Sequence, residues 1–267
     1  MIERPLASVH RNPTRHRTLI PPRLLLVVFF WVAALPAAAG EYSVSPMRLD
    51  FDRDTRSGIV TLKNVGSDRL SFQLRAVEWK QDSVGKDVYV DSSDIIFFPR
   101  ILTIEPSEER IIRVGTKVIP AREERAFRLF IEKLPEATSE PTMPGAHLNI
   151  IFRFALPIFV EPTVHQPKGE IVSATLAKGE FTLVLRNPGN EHYRVDDGVV
   201  IRGVTGQGEQ IFTNIFPDRY VLAGVTKRYV TIIPAATCHA MATLEVNATT
   251  EQFTLAQTLK VDAAMCR

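Results

Sequence analysis

The chain has 267 residues, of which 45% are hydrophobic and 23% charged, with 32 basic against 30 acidic residues and only two cysteines. This length suffices for two domains of ordinary size. So even a charge balance gives no long-range field of the kind that nucleic acid or an anionic membrane surface demands.

Residues 1–23 are basic and broken by prolines, with Arg4, Arg11, Arg15, Arg17 and Arg23 against Glu3 alone. The apolar run Leu24–Leu35 follows, then Pro36 and Ala37-Ala38-Ala39. A basic, an apolar and a small-residue segment in that order predict a secretory signal peptide over 1–39, cut after Ala39 or, as a close second, Gly40. A retained anchor is the alternative, although the run is short against the ~20 residues of a bilayer span. The leader holds five of the basic residues, so the rest of the chain carries 27 basic and 29 acidic residues, and the apparent pI of 8.6 belongs largely to the leader.

From Tyr42 onward almost every segment reads as a short strand bounded by turn residues. Tyr42–Phe51 is extended. Gly58–Lys63 alternates and stops at the turn cluster Asn64-Val65-Gly66-Ser67-Asp68. Leu70–Trp79, Ile95–Phe98, Arg110–Val114, Arg125–Lys133 and His147–Val160 complete a first set. The segment 161–169 reads as a linker. A second set comprises Glu170–Leu176, Phe181–Arg186, Arg194–Ile201, Gln210–Ile215, Lys227–Ile233, Met241–Val246 and Thr254–Val261. No segment holds a helical period over ten residues with caps. The pattern predicts an all-β chain of two immunoglobulin-like β-sandwich domains, 40–162 and 163–267.

The segment His147–Pro162 stands out. Leu148, Ile150, Phe152, Phe154, Leu156 and Ile158 occupy alternate positions, so a strand projects all six from one face. Pro157 lacks a backbone N–H, which suits a sheet edge. A long apolar edge strand is an aggregation hazard unless it is meant to pair with something else. An ordinary core strand of a sandwich is the competing reading.

Catalytic motifs are missing from the sequence: no GxSxG, HExxH, P-loop or dinucleotide fingerprint occurs, and the histidines are scattered. The reading is therefore of a non-enzyme without cofactor or metal. Glu123-Glu124 and Asp196-Asp197 read as solvated turns. Cys238 and Cys266, in an exported chain, are expected to pair, tying a strand late in the second domain to the C-terminus. Three arginines sit inside apolar strands: Arg48, Arg128 and Arg153. Each either lies at a sheet rim with its head in water or joins the others in a carboxylate receptor, a task that suits the planar guanidinium fork.

Five motifs in order resemble the periplasmic pilus-assembly chaperones of the chaperone–usher pathway. They are Met47–Phe51, Thr61–Gly66, Pro99–Pro106 with Arg110–Val114, Arg128–Pro135, and the alternating strand ending at Pro162. The resemblance covers the whole chain after the leader and implies two immunoglobulin-like domains set at an angle around a cleft. It also implies periplasmic location, pilus or fimbrial subunits and an outer-membrane usher as partners, and no membrane insertion once the leader is removed. Such chaperones lend a strand to an incomplete subunit fold. Here the lending residues would be Leu148, Ile150 and Phe152, continued by Phe154 and Leu156. Three such side chains contribute about 5–8 kcal/mol gross on burial. Free copies could also associate through the same edge.

The family anchors the subunit's C-terminal carboxylate with an Arg in the first strand and a Lys in the lending strand. Arg48 matches the first. Pro157 holds the usual Lys position, so Arg153 or Arg128 would have to serve. Glu161 replaces the usual Arg before the closing proline, which puts the family's interdomain ion pairing in doubt. The wording Phe154–Val160 looks more like the divergent, archaic-type branch. The alternative to a chaperone is a secreted structural or adhesive module that binds a partner through a sheet face.

Overall fold

The computed structural model describes residues 42–135, 152–217 and 220–267. The expected signal peptide, Leu148 and Ile150 lie outside the described residues.

Among the described residues the first half holds ten strands: β1 (Tyr42–Ser45), β2 (Leu49–Phe51), β3 (Ser57–Asn64), β4 (Leu70–Gln81), β5 (Asp87–Asp91), β6 (Ile95–Phe98), β7 (Ile101–Ile104), β8 (Glu109–Thr116), β9 (Arg125–Lys133) and β10 (Arg153–Val160). One sheet runs β1-β3-β8-β6, and the facing sheet runs β2-β10-β9-β4-β5 with β7 also on β4. Alternation builds the core between them. Val60 and Leu62 of β3, Phe72 and Leu74 of β4, Phe127 and Leu129 of β9, and Leu156 and Ile158 of β10 all turn inward. The extended segment expected over Tyr42–Phe51 is two strands in two different sheets, with a cis Ser45–Pro46 peptide between them. Strands β5 and β7 escaped the sequence reading.

The second half continues with β11 (Glu170–Ala177), β12 (Glu180–Arg186), β13 (Tyr193–Arg194), β14 (Val199–Val204), β15 (Gln210–Phe216), β16 (Tyr220–Val221), β17 (Thr226–Ile232), β18 (Thr243–Thr249) and β19 (Thr254–Lys260). Its sheets run β11-β12-β17 and β15-β14-β18-β19, with β13 and β16 paired apart. A separate core of Phe181, Leu183, Tyr193, Ile201, Leu244 and Val246 lies between them. The fold is thus all-β, two immunoglobulin-like sandwiches in series.

The same local device closes a strand in each half. Asn64 is fully buried, donates its amide to the carbonyls of Asp68 and Ile104, and accepts from the Gly66 N–H. Asn187, also fully buried, donates to the carbonyls of Glu191 and Val221 and accepts from the Gly189 N–H. A buried amide is tolerated because its hydrogen bonds are made. It fixes each turn against a neighbouring strand.

Cys238 and Cys266 form the disulfide. Cys238 sits on a short helix, α1 (Ala235–Ala240), rather than on the strand expected there, and Cys266 closes a 3-10 turn, Ala263–Cys266. The bridge spans 28 residues. On the chain-entropy account a loop of that size stabilises the fold by about 3 kcal/mol. Replacing both cysteines with alanine is expected to lower the unfolding free energy by about that amount, read from urea denaturation of the two proteins side by side.

Candidate functional site

Strand β10 is where the sequence placed the greatest interest. It pairs along its whole length with β9, Arg153 against Glu132 through Val160 against Arg125. On its other side β2 covers only Ile158–Val160. From Arg153 to Pro157 that side has no partner strand among the described residues.

Hydrogen-bond parity shows which groups face the open side. The Lys133 N–H donates to the Phe152 carbonyl at 3.0 Å, which makes Phe152 and Lys133 a hydrogen-bonded pair. In an antiparallel ladder the even-numbered residues of β10 then point their polar groups at β9, and the odd-numbered residues point outward. The Glu161 N–H, odd and outward, bonds the Phe51 carbonyl of β2 at 2.8 Å, as this parity requires. Pro157 is odd, so its missing N–H belongs to the outward side.

The side chains of the alternating row divide. Leu156 and Ile158 are fully buried in their own domain's core. Phe154 is half-buried against the same core, and Phe152 is 53% exposed. Leu156 therefore cannot serve as a lending residue in this conformation. It is already occupied in packing its own sandwich.

The opposite face of the sheet carries the arginines. Pro157 and Arg128 are register partners on β10 and β9. Arg128 lies with its guanidinium 3.6 Å from the centre of the Trp79 ring and 5.5 Å from that of Tyr220. Its Nη1 donates to the Ala155 carbonyl at 3.0 Å. No carboxylate pairs with it among the described residues, and burial pushes its pKa below the usual guanidinium value. Its Nε–H and the Trp79 Nε1–H are both buried without a hydrogen-bond partner among the described residues. Two stacked groups, each with an unsatisfied buried N–H, form a donor site suited to an incoming acceptor.

The other two arginines are already paired. Arg48, just before β2, donates through Nε to Asp50 at 2.8 Å. Glu251 and Tyr220 of the second sandwich act on its charge. Arg153 pairs with Glu132 at 3.4 Å and lies over the Phe130 ring at 4.6 Å. Arg48 and Arg128 thus both neighbour Tyr220, whereas Arg153 lies with Phe130 farther out along the sheet. Arg128 and Arg153 both act on Tyr89.

The two sandwiches meet along Trp79, Ala126 and Phe159 of the first and Leu222 of the second, with Tyr220 packed against them. Gln81 ties the edge of this cluster, donating to the Tyr220 carbonyl and accepting from the Leu222 N–H. Glu124 overturns its reading as a solvated turn. Its carboxylate is 3% exposed and accepts from the backbone N–H of His192 and meets His192 Nδ1 at 2.8 Å. The His192 ring stacks on Phe159 at 3.6 Å. Nothing in the sequence brought Glu124 and His192 together, because 68 residues separate them. The Asn187 turn, which carries Glu191 and His192 into the junction, was the one available signal.

A second imidazole–carboxylate contact flanks the first. His165 Nδ1 lies 2.8 Å from Glu191, and its Nε2 lies 3.8 Å from Glu161. Hydrogen bonding to Glu191 holds the His165 pKa above the usual imidazole value. Burial and the nearby Asp50 raise that of Glu161. A histidine raised in the folded state contributes its full stabilisation below the unfolded value, about 6.5. The contribution is lost as pH rises through the folded value. Glu191→Gln is therefore expected to flatten the stability profile above about pH 6.5. Its imidazole titration, followed by NMR, should move back toward the ordinary value.

The architecture defines a class: two immunoglobulin-like sandwiches in series, with a partly open strand in the first and a cation-bearing junction between them. Residues 41–166 match the family described as pili and flagellar-assembly chaperone, PapD N-terminal domain. On that match residues 41–166 belong to the pilus-assembly chaperones, a family of chaperones and not of enzymes. The fold is also that of several solved chaperones. One is the chaperone of the CsuC–CsuE chaperone–tip adhesion subunit pre-assembly complex, from archaic chaperone-usher Csu pili of Acinetobacter baumannii. It is 18% identical with a TM-score of 0.56, covering 82% of this chain and 98% of the other. The YadV chaperone is 13% identical with a TM-score of 0.53, covering 83% and 100%. The SafA pilin–SafB chaperone complex of Salmonella enterica matches at 12% identity and a TM-score of 0.50, covering 84% and 98%. No curated protein sequence matches the chain.

Proposed function

We propose that this protein is a periplasmic chaperone that holds pilus or fimbrial subunits by lending them the open edge of β10 and hands them to an outer-membrane usher. The observation that carries this reading is the outward side of Arg153–Pro157, which has no partner strand among the described residues and ends beside Arg128, a cation with no carboxylate partner among them. A subunit strand laid along that edge would gain main-chain hydrogen bonds, and the apolar row would fill its groove. Leu148 and Ile150 are proposed as lending residues together with the exposed Phe152. Phe154 sits at the boundary with the chaperone's own core.

The carboxylate at the subunit's C-terminus is proposed to sit between Arg48 and Arg128. Arg128 substitutes for the missing lysine by standing across the strand pair from Pro157. Arg153, committed to Glu132 and Phe130, is the weaker candidate. Membership of the archaic-type branch belongs to the same proposal, supported by Pro157 and by the shifted cation. The boundary between the domains is proposed in the stretch between β10 and β11, and export by cleavage of residues 1–39.

The test is co-expression in a periplasm with a candidate subunit from a neighbouring gene, followed by affinity capture. Wild type is expected to retain the subunit stoichiometrically. Arg128→Ala and Arg48→Ala are expected to lose at least nine-tenths of it, since a charge-assisted hydrogen bond contributes about 1.5–3 kcal/mol. Arg153→Ala should retain most. Full capture by Arg128→Ala would move the anchor away from Arg128. Failure of the wild type to retain any neighbouring subunit would favour an adhesive or structural module.

A further inference from the structure

An unpaired strand edge invites pairing with any other edge, including that of a second copy. The outward polar groups of β10 between Arg153 and Pro157 are therefore a liability in the protein by itself. Two features blunt them. Pro157 removes one outward donor. The Ala155 carbonyl, outward by parity, is already an acceptor for Arg128 Nη1 at 3.0 Å. Arg128 reaches it across β10 because Ala155 offers no side chain beyond Cβ, and the Trp79 ring 3.6 Å away holds the guanidinium flat in that pose. A strand from a second copy would have to share or displace this cation, and would bring the second copy's cations toward those of the first.

We infer that Arg128 guards the edge of β10: in the protein alone it occupies the Ala155 carbonyl and keeps two copies of the chain from pairing through that strand. The guard has a second consequence, which rests on the chaperone reading above. A subunit strand that takes over the Ala155 carbonyl releases the guanidinium beside the arriving carboxylate, so edge opening and carboxylate anchoring use one side chain in turn. The position of Arg128 opposite Pro157 then makes sense as a pair, one residue deleting a donor and the other covering an acceptor on the same side of the strand.

The experiment is sedimentation equilibrium of the purified protein without any subunit, combined with amide exchange at Ala155, whose N–H also faces outward. Wild type, Arg128→Met, Pro157→Ala and Arg48→Met would be compared at matched concentrations. Arg128→Met keeps the apolar stem and removes every donor. It is expected to raise the self-association constant at least tenfold, with Ala155 gaining exchange protection as concentration rises. Pro157→Ala, which restores an outward donor, is expected to raise it as well, and Arg48→Met to leave it unchanged. A folded Arg128→Met sedimenting as wild type would overturn the guard. So would association without protection of Ala155. Should Arg128→Met fail to fold, Arg128→Gln, which is too short to cover the Ala155 carbonyl across β10, decides in the same two measurements. Subunit capture is scored separately. A folded Arg128→Met that stays monomeric yet loses the subunit overturns the guard and leaves the anchor standing. One that self-associates yet still captures subunit supports the guard and removes the anchor.

Discussion

Phe152→Asp is expected to abolish capture of a pilus subunit while leaving the unfolding free energy of the protein alone within about 0.5 kcal/mol of wild type. Phe152 is exposed in its own domain, so the substitution removes little native packing. In a subunit groove the same carboxylate would be buried without a partner, at a cost that no neighbouring contact offsets. Leu156→Ala makes the contrasting case, two turns of the alternation further along the same face. Leu156 is fully buried among the first sandwich's core residues. Its truncation is expected to cost about 2–5 kcal/mol of stability, the transfer of the lost methyl groups plus the cavity left behind. Thermal denaturation and subunit capture on the two variants separate a binding row from a structural one. Retention of subunit by folded Phe152→Asp would exclude this end of β10 from the lending strand.

His192→Ala is expected to destabilise the protein by about 1–3 kcal/mol, the cost of leaving a buried acceptor without its partner. The Glu124 carboxylate is almost fully buried, and beyond His192 Nδ1 its hydrogen-bond partner among the described residues is the His192 backbone N–H. Loss of the imidazole also removes the ring stacked on Phe159, at the end of the strand whose other end is open. Glu124→Gln in the His192→Ala background should recover part of the loss, because the uncompensated charge is gone. A double-mutant cycle measured by denaturant unfolding is expected to return a coupling on the order of 1–3 kcal/mol. A coupling near zero would mean that the junction is held by Trp79, Phe159 and Leu222 alone.

The alternation of apolar residues was enough to locate most of the strands. Ile95–Phe98 and Arg125–Lys133 have the same bounds in the sequence reading and in the structure. Strands β5 and β7 were missed for different reasons. All five residues of β5 are exposed, so no buried face imposes alternation on it. β7 follows β6 after a two-residue break and goes to the other sheet, a change of partner that local pattern does not encode. The short helix at Cys238 is shorter than the window over which a helical period can be recognised.

The candidate site was legible only in part. Arg48, Arg128 and Arg153 could be singled out as cations among apolar residues, but their states could not. Whether an arginine is spent on a carboxylate depends on which residue a neighbouring strand places beside it. Register gives Arg153 the company of Glu132, and it gives Arg128 that of Pro157. By itself the sequence determined the class of fold, the disulfide partners and the row of alternating side chains, because these follow from period, composition and compartment. Only the tertiary structure decided which part of that row is core, which side of β10 is open, and that Glu124, a surface residue by its spelling, is buried against His192. Those outcomes depend on pairings between residues far apart in the chain, and burial and charge compensation are set by the neighbours that such pairings supply.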